Sequence, residues 1–288
     1  MFKAMRKTDL QDDLPRLLYS AVFGSSGRIR RLILRWHLAR LKKRVRSYEP
    51  NRLVRFLDYT LRITDGPNFY IQLKDEFVRR IYHFETVRPQ PLIIDGGSNM
   101  GVSILYFKHV YPDSRVIGFE PDPAVFRILR ENVDRNHLQG VTLIKAGLGK
   151  AKGRATFMTD GSAGGHLEEG GKGITVEVER LSDYLDETVD FLKLNIEGEE
   201  LAVLQEVEES GKLGNLRELV IEYHGWSNRK QELGPLLELL DRQGFRYLLH
   251  DFDHETCGAS KPPFQLELDT NWFCLIYARR VIDSFRAG

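Results

Sequence analysis

The 288-residue sequence predicts an α/β fold: a mostly parallel sheet with helices on both faces, an antiparallel edge pair of strands, and an N-terminal basic helical extension. Three observations carry that prediction. From Pro91 onward, short apolar runs alternate with segments of helical spacing. A glycine-rich turn follows the first of those runs, and the last two strand-like runs have no helix between them. The composition, 42% hydrophobic and 29% charged, is that of a globular protein able to bury a substantial core.

Three segments are expected: residues 1–50 as the basic extension, 51–90 as a cap or connecting segment, and 91–288 as the main domain. The stretch GRIRRLILRWHLARLKKRVRS, Gly27 to Ser47, is dense in Arg and Lys and holds no acidic residue. At about 100° per residue, Arg28, Arg31, Arg35, Lys42 and Arg46 fall along one side of a helix. Ile29, Leu32, Ile33 and Trp36 gather on another face, and Leu34, Leu38 and Leu41 make a second apolar strip. Three readings stay open: a solvated helix packed on its own domain, attachment to anionic lipid head groups or a phosphate-bearing substrate, or nucleic acid.

In the main domain PLIID, RVIGFE and VTLIKAGL read as strands, each followed by a polar or glycine-rich turn. Residues from about Val102 to Val110 and from Ala124 to Asn136 have helical spacing. VDFLKLNIEG and RELVIEYH supply two more strands, divided by a helix starting near Glu199. A helix from Gln231 to Gln243 then leads to FRYLLHDF and NWFCLIYARR, the antiparallel edge pair. The glycine-rich piece DGSAGGHLEEGGKG, ending at Gly173, reads as a mobile loop near the strand ends.

Several classes are disfavoured at once. A net charge of +1 does not mark a polyanion-binding protein. Cys257 and Cys274 stand far apart with no metal-site spacing, so neither a zinc site nor a disulfide framework is expected. No run approaches the roughly 18 apolar residues of a membrane span, and the first residues lack the pattern of a signal peptide. A cytoplasmic protein is expected, peripheral to the inner membrane face on the lipid reading of the basic segment.

The turn Asp95-Gly96-Gly97-Ser98-Asn99-Met100-Gly101 decides the ligand. It fails the G-x-G-x-x-G spacing that seats a pyrophosphate, and Asp95 at the strand's end would repel one. A carboxylate there favours a cationic group such as an ammonium. Glu120, about twenty residues beyond the turn at the end of the second strand, can accept hydrogen bonds from both ribose hydroxyls. An amino-acid end near Asp95 and a ribose near Glu120 together match S-adenosylmethionine, not NAD.

These motifs resemble those of the FkbM-type S-adenosylmethionine-dependent methyltransferases. The resemblance runs from roughly Phe77 to Ala278. It rests on I-I-D-G-G-S-N-M-G, on Y-F-K-H-V-Y-P-D-S-R-V-I-G-F-E-P-D-P, on V-D-F-L-K-L-N-I-E-G-E-E, and on the later E-Y-H. It implies a Rossmann-like class I methyltransferase fold and methyl transfer, usually to a hydroxyl of a saccharide, glycolipid or natural product. It also implies that Asp95, Gly97, Asn99 and Gly101 line the methionine part of the cofactor and Glu120 the ribose; Gly96, Ser98, Pro121 and Ala146 complete the candidate cofactor set. Two residues depart from the family's habit: Ser98 stands where Ala is frequent, and Asn195 where Asp is frequent. The second departure keeps an alternative in view, a non-catalytic relative that binds S-adenosylmethionine or docks a membrane assembly.

Methyl transfer to a hydroxyl is helped by a general base at the carboxyl ends of the strands. Asn195, Glu197, Glu222 and His224 meet that condition, and His224, Glu197 and Asn195 form the candidate catalytic set. Glu197 has a second reading as a cap of the following helix, favoured by the helix dipole. His166, in the glycine-rich loop, is a weaker candidate. H-D-F-D-H, His250 to His254, carries metal-capable residues, but strand alternation splits them between two faces, so no metal is expected. No [D/N]-P-P-[Y/F] segment follows the fourth strand, which argues against nucleic-acid bases as acceptor.

Overall fold

The computed structural model describes residues 27–45, 47–159, 165–168, 173–250, 263, 267 and 270–280. In chain order they form helix α1 (Gly27–Val45), strands β1 (Leu53–Phe56) and β2 (Tyr59–Arg62), and helix α2 (Gly66–Leu73), which runs on into a π-helical turn (Lys74–Arg79). Strand β3 (Leu92–Gly96), helix α3 (Val102–Val110), β4 (Arg115–Phe119), α4 (Pro123–Arg135) and β5 (Val141–Ile144) follow. After β6 (Gly147–Leu148), β7 (Gly153–Thr159), β8 (Gly165–Glu168) and β9 (Ile174–Glu179) come β10 (Val189–Leu194), α5 (Glu200–Glu209) and β11 (Leu216–Gly225). Helix α6 (Leu233–Arg242), β12 (Phe245–His250) and β13 (Trp272–Arg280) end the described chain. The chain packs as two compact units, one within 1–83, 99–110 and 124–139, the other within 84–98, 111–123 and 140–288.

In the first unit, α1 buries Leu34, Leu38, Leu41 and Val45, a strip with the helical period, and leaves Leu32 and Trp36 exposed. Of the two apolar strips, the Leu34 strip is thus the one that packs on the chain. Arg46 and the side chains of Gly27 to Arg31 lie outside the described residues. Helix α2 opens on Asp65, whose side chain accepts from Asn68 N, with Pro67 in the first turn. A Cβ on Gly66 would fall 1.9 Å from the Val45 carbonyl oxygen, so only glycine lets α2 start against the end of α1. Two asparagines one turn apart on α4 and just beyond it hold the edge of β2. Asn132 Oδ1 accepts from Arg62 N at 2.6 Å, and Asn136 Oδ1 accepts from Thr60 N at 2.8 Å. Their amide nitrogens return bonds to the Arg62 and Thr60 carbonyls, so side chains complete the strand's ladder.

The second unit contains a seven-stranded sheet of order β12-β13-β11-β10-β3-β4-β5. Strands β11, β10, β3, β4 and β5 are parallel, and β13 runs antiparallel to both β11 and β12. The predicted edge pair is therefore in place. Every residue of β10 is buried, Asp190 and Lys193 included, as a central strand covered on both faces requires. Leu201, Val203, Leu204 and Val207 of α5 and Leu236, Leu239 and Leu240 of α6 share one core with Ile94, Leu192, Leu194, Leu219 and Ile221 of the sheet.

A second sheet, β6-β9-β7-β8, corrects the reading of the glycine-rich piece as a loop. Within it Gly165–Glu168 is a strand paired antiparallel with β7, Leu167 opposite Phe157. The alternating run ATFMT forms β7, which pairs β8 on one edge and β9 (ITVEVE) on the other, and cross-strand pairing outweighs the glycines' preference for turns. Residues 161–164 and 169–172, the side chain of His166, and Asp251 to His254 and Cys257 lie outside the described residues.

Candidate active site

Strand order reverses between β3 and β10, and ligands of open parallel sheets bind in the crevice beyond the carboxyl ends at such a reversal. Gly96, the last residue of β3, lies in register with Leu194 of β10 on one side and Phe119 of β4 on the other. The turn that leaves it is tied down at once. Gly97 N and Ser98 N both donate to the Phe119 carbonyl, at 3.1 and 2.8 Å, and Ser98 Oγ donates to the Asp95 carbonyl at 3.0 Å. Ser98 is buried and holds the turn.

Close packing accounts for the first two glycines of the turn. A Cβ on Gly97, at φ 82°, would lie 1.9 Å from the Asn195 carbonyl oxygen, and one on Gly96 would meet Leu148 and Leu194 at 3.0 Å. The space that these residues lack a side chain to fill is taken by β10 and its exit, not left open for a ligand. In the other unit the turn continues through Asn99, at φ 49°, whose Oδ1 accepts from Met100 N at 2.7 Å. Gly101, at φ 92°, packs on Leu129, whose Cδ1 a Cβ would approach to 2.7 Å.

Asp95, expected to end the strand, is the penultimate residue of β3 and has a fully buried side chain. The ammonium it attracts belongs to the chain: Lys193 Nζ donates to Asp95 Oδ1 at 2.8 Å and to the carbonyls of Gly96 and Gly97 at 3.2 and 2.8 Å. Lys193 is itself 3% exposed. A buried ion pair with its surplus donors satisfied this way fixes backbone geometry, and Asp95 serves as part of the turn's frame. Sequence reasoning passed over Lys193, although a lysine inside the strand run VDFLKL, flanked by leucines, is the signal of a buried, paired cation.

Glu120 follows β4 and is largely buried; its backbone N donates to Ile144 O at 3.1 Å and its Oε1 accepts from Asp122 N at 2.9 Å. Pro121 is half-buried, and Ala146, just past β5, is buried.

Beyond β10 the chain turns through Asn195, Ile196, Glu197 and Gly198 into α5. Glu197 holds φ 60° and Gly198 φ 113°, left-handed backbone that a glutamate adopts only under constraint. The constraint comes from Glu200, a second residue that sequence reasoning missed. Its fully buried carboxylate accepts from Ile196 N at 3.1 Å and Gly198 N at 3.0 Å. Burial pushes the Glu200 carboxyl up to about 7, against the pull of those backbone donors. Glu197 does not cap α5, whose start has no side-chain cap; Glu200 instead ties down the turn before the helix.

Glu197 points elsewhere: its Oε2 lies 3.5 Å from His224 Nε2, and Glu222 Oε1 lies 3.8 Å from the same nitrogen. The His224 ring stacks parallel on Trp226 at a 5.2 Å centroid distance and tilts against Phe273. Burial pushes the imidazole down to about 4, partly offset by the backbone of Glu222, so the ring is neutral at neutral pH. Its Nδ1 is buried with no hydrogen-bond partner, and so is Asn195 Oδ1 at the end of the neighbouring strand. Buried polar atoms are rarely left unpaired, and these two lie at the carboxyl ends of adjacent parallel strands, the edge where open sheets of this kind bind ligands. Asp95, Gly96, Gly97, Ser98, Glu120, Pro121, Ala146, Asn195, Glu197, Glu222 and His224 thus all belong to the carboxyl ends of β3, β4, β5, β10 and β11.

A family model described as the Methyltransferase FkbM domain matches residues 95–247, more than half of the chain. The chain is 28% identical over 160 residues to Methyltransferase 1 of Beauveria bassiana (strain ARSEF 2860), an alignment covering 46% of this chain and 64% of that protein. It therefore spans just under two thirds of that relative's length. It is also 28% identical over 211 residues to the 31-O-demethyl-FK506 methyltransferase FkbM of Streptomyces tacrolimicus, covering 60% of this chain and 80% of that protein. Among solved structures, Methyltransferase FkbM from Methylobacillus flagellatus KT aligns with a TM-score of 0.42 at 16% identity, over 86% of this chain and 59% of that one.

Proposed function

The chain belongs to the FkbM family of S-adenosylmethionine-dependent methyltransferases, and from that membership we propose that it methylates a hydroxyl oxygen of a saccharide, glycolipid or related natural product. The oxygen acceptor is supported by a relative named for O-methylation, the 31-O-demethyl-FK506 enzyme. The glycolipid member of the acceptor class lies in a bilayer, and α1 is the element of this chain whose chemistry fits such a surface. The observation that carries the reading is the pair of buried, unpartnered atoms, Asn195 Oδ1 and His224 Nδ1.

These residues fit the cofactor on chemical grounds. Asn195 Oδ1 offers an acceptor to a donor such as an ammonium, and the Glu120 carboxylate offers one to ribose hydroxyls. Gly97, Pro121 and Ala146 supply walls of the same site in this reading. When bound, S-adenosylmethionine supplies a sulfonium methyl open to in-line displacement.

The chain's own contribution is to orient the acceptor and take its proton. A neutral His224 with Nε2 toward Glu197 and Glu222 carries its hydrogen on Nε2, leaving the Nδ1 lone pair to accept the hydroxyl proton. As the ring gains that proton, Glu197 Oε2 and Glu222 Oε1, 3.5 and 3.8 Å from Nε2, face the new positive charge. The Trp226 and Phe273 rings hold the imidazole plane and exclude water from it.

Calorimetry tests the cofactor assignment. S-adenosylmethionine and its demethylated product should bind, NAD should not, and Glu120→Ala should weaken binding by about 1–3 kcal/mol. Tight NAD binding with no response to S-adenosylmethionine would overturn the proposal. Binding without turnover on any hydroxyl acceptor would favour the non-catalytic reading that Asn195 keeps open.

A further inference from the structure

We infer that the outward face of α1 is a docking surface for an anionic lipid bilayer. The inference deepens the glycolipid reading by naming a surface, yet its observations come from α1 alone. On the helix, Leu34, His37, Leu38, Leu41 and Val45 share the buried side. Diametrically opposite lie Leu32, Trp36, Ala39 and Lys43, all exposed, Leu32 at 65% and Trp36 at 39%. Arg35 and Lys42 flank this ridge on one side and Arg40 on the other, also exposed. The Arg40 guanidinium sits over the Trp36 ring, 4.7 Å from its centroid.

Packing within the chain explains the buried strip and leaves the opposite ridge without a role. A purely solvated face would carry polar residues and both signs of charge, but this helix holds a leucine and a tryptophan outward and no acidic residue. An apolar ridge bordered by cations is the pattern of a helix lying in a bilayer interface. Leu and Trp enter the acyl boundary while Arg and Lys reach the phosphates. Trp is the side chain most at home at that depth. Among the described residues no helix is long and apolar enough to cross a membrane, so α1 would lie on the surface. Nucleic acid offers the same phosphates but gives Leu32 and Trp36 nothing to enter, which is why lipid is the occupant inferred.

The test is flotation of the full chain with vesicles, at physiological salt of about 0.15 M. Vesicles of phosphatidylcholine mixed with phosphatidylglycerol should carry the protein, and pure phosphatidylcholine should bind at least roughly tenfold more weakly. Replacing Arg35, Arg40, Lys42 or Lys43 by Gln should cost about fivefold each. The double variant Leu32→Ser, Trp36→Ser should lose most vesicle binding while keeping its circular dichroism spectrum and its affinity for S-adenosylmethionine. Equal flotation with both vesicle types, none at this salt, or a double variant that floats like the parent would overturn the inference. So would tighter binding to duplex RNA than to anionic vesicles with the double variant unaffected. Loss of S-adenosylmethionine binding in the parent, with flotation intact, would sink the methyl-transfer reading and leave this one standing.

Discussion

Lys193 and His224 show how much of a site can rest on single residues. Lys193→Met would leave the fully buried Asp95 carboxylate facing no ammonium, the costly way to break a buried pair. Urea denaturation should show a loss of about 3–5 kcal/mol, and adding Asp95→Asn should recover part of it. An unchanged midpoint in the single variant would mean that the pair does not frame the turn. His224 is predicted to titrate near 4, because burial penalises its charged form. In the unfolded chain the ring takes up its proton near the ordinary value of about 6.5. Between those values the unfolded state binds more protons, so this contribution to stability is present above 6.5 and is lost as pH falls through about 4. Imidazole resonances titrating near 6.5 would remove the buried, neutral base from the mechanism. In single-turnover methylation, a folded His224→Ala variant should lose at least roughly tenfold in rate with cofactor affinity nearly unchanged.

At the scale of the element, the β10–α5 turn is the feature that aims Glu197 at the histidine. Glu200 makes that turn, since its carboxylate satisfies Ile196 N and Gly198 N from inside the core. Glu200→Ala should therefore destabilise the chain by about 2–4 kcal/mol, with Glu200→Gln costing less because one acceptor remains. The pH dependence runs opposite to that of His224. The folded carboxyl is raised to about 7 from 4.5, so its contribution is full below 4.5 and is lost as pH rises through 7. Glu200→Gln should flatten the fall in stability over that window, while His224→Gln should flatten the one at lower pH. Denaturant midpoints collected across pH for both variants check the two signs independently. Trp272 behaves similarly to a structural fixture: a Cβ on Gly225, which closes β11, would meet its ring at 2.4 Å, so that strand's end is shaped by β13.

For the whole molecule, binding of the cofactor to the folded chain alone predicts linkage. At a ligand concentration a hundredfold above Kd, the gain is about 2.7 kcal/mol, or roughly 5 °C in Tm for a chain of this size. Thermal unfolding with S-adenosylmethionine should show that rise, and with NAD none. A Tm that ignores S-adenosylmethionine at every concentration would refute the cofactor site as a whole. The seven-stranded sheet gives the expectation its basis, because the order of its parallel strands among the described residues reverses between β3 and β10, where the unpartnered Asn195 oxygen sits.

The alternation of strands and helices, the edge pair and the order of the motifs were all legible in the sequence. Periodicity is a local property, and D-G-G-S-N-M-G, F-E-P-D and L-N-I-E-G-E-E each fall within one strand and its exit turn. Hence Glu120, Asn195 and His224 could be placed at strand ends before any coordinates. What only the tertiary structure decided was which neighbour each group meets. Asp95 and Lys193 are far apart in the chain and meet through the parallel pairing of β3 with β10. That pairing turns an expected ligand anchor into part of the frame, and it fills the space beside Gly96 and Gly97. The same holds for Glu200, whose burial makes it the carboxylate that ties the β10–α5 turn, and for α1, whose two apolar strips look alike until one is covered. Burial and pairing are long-range outcomes of packing, and they set charge, pKa and exposure, which a local pattern cannot encode.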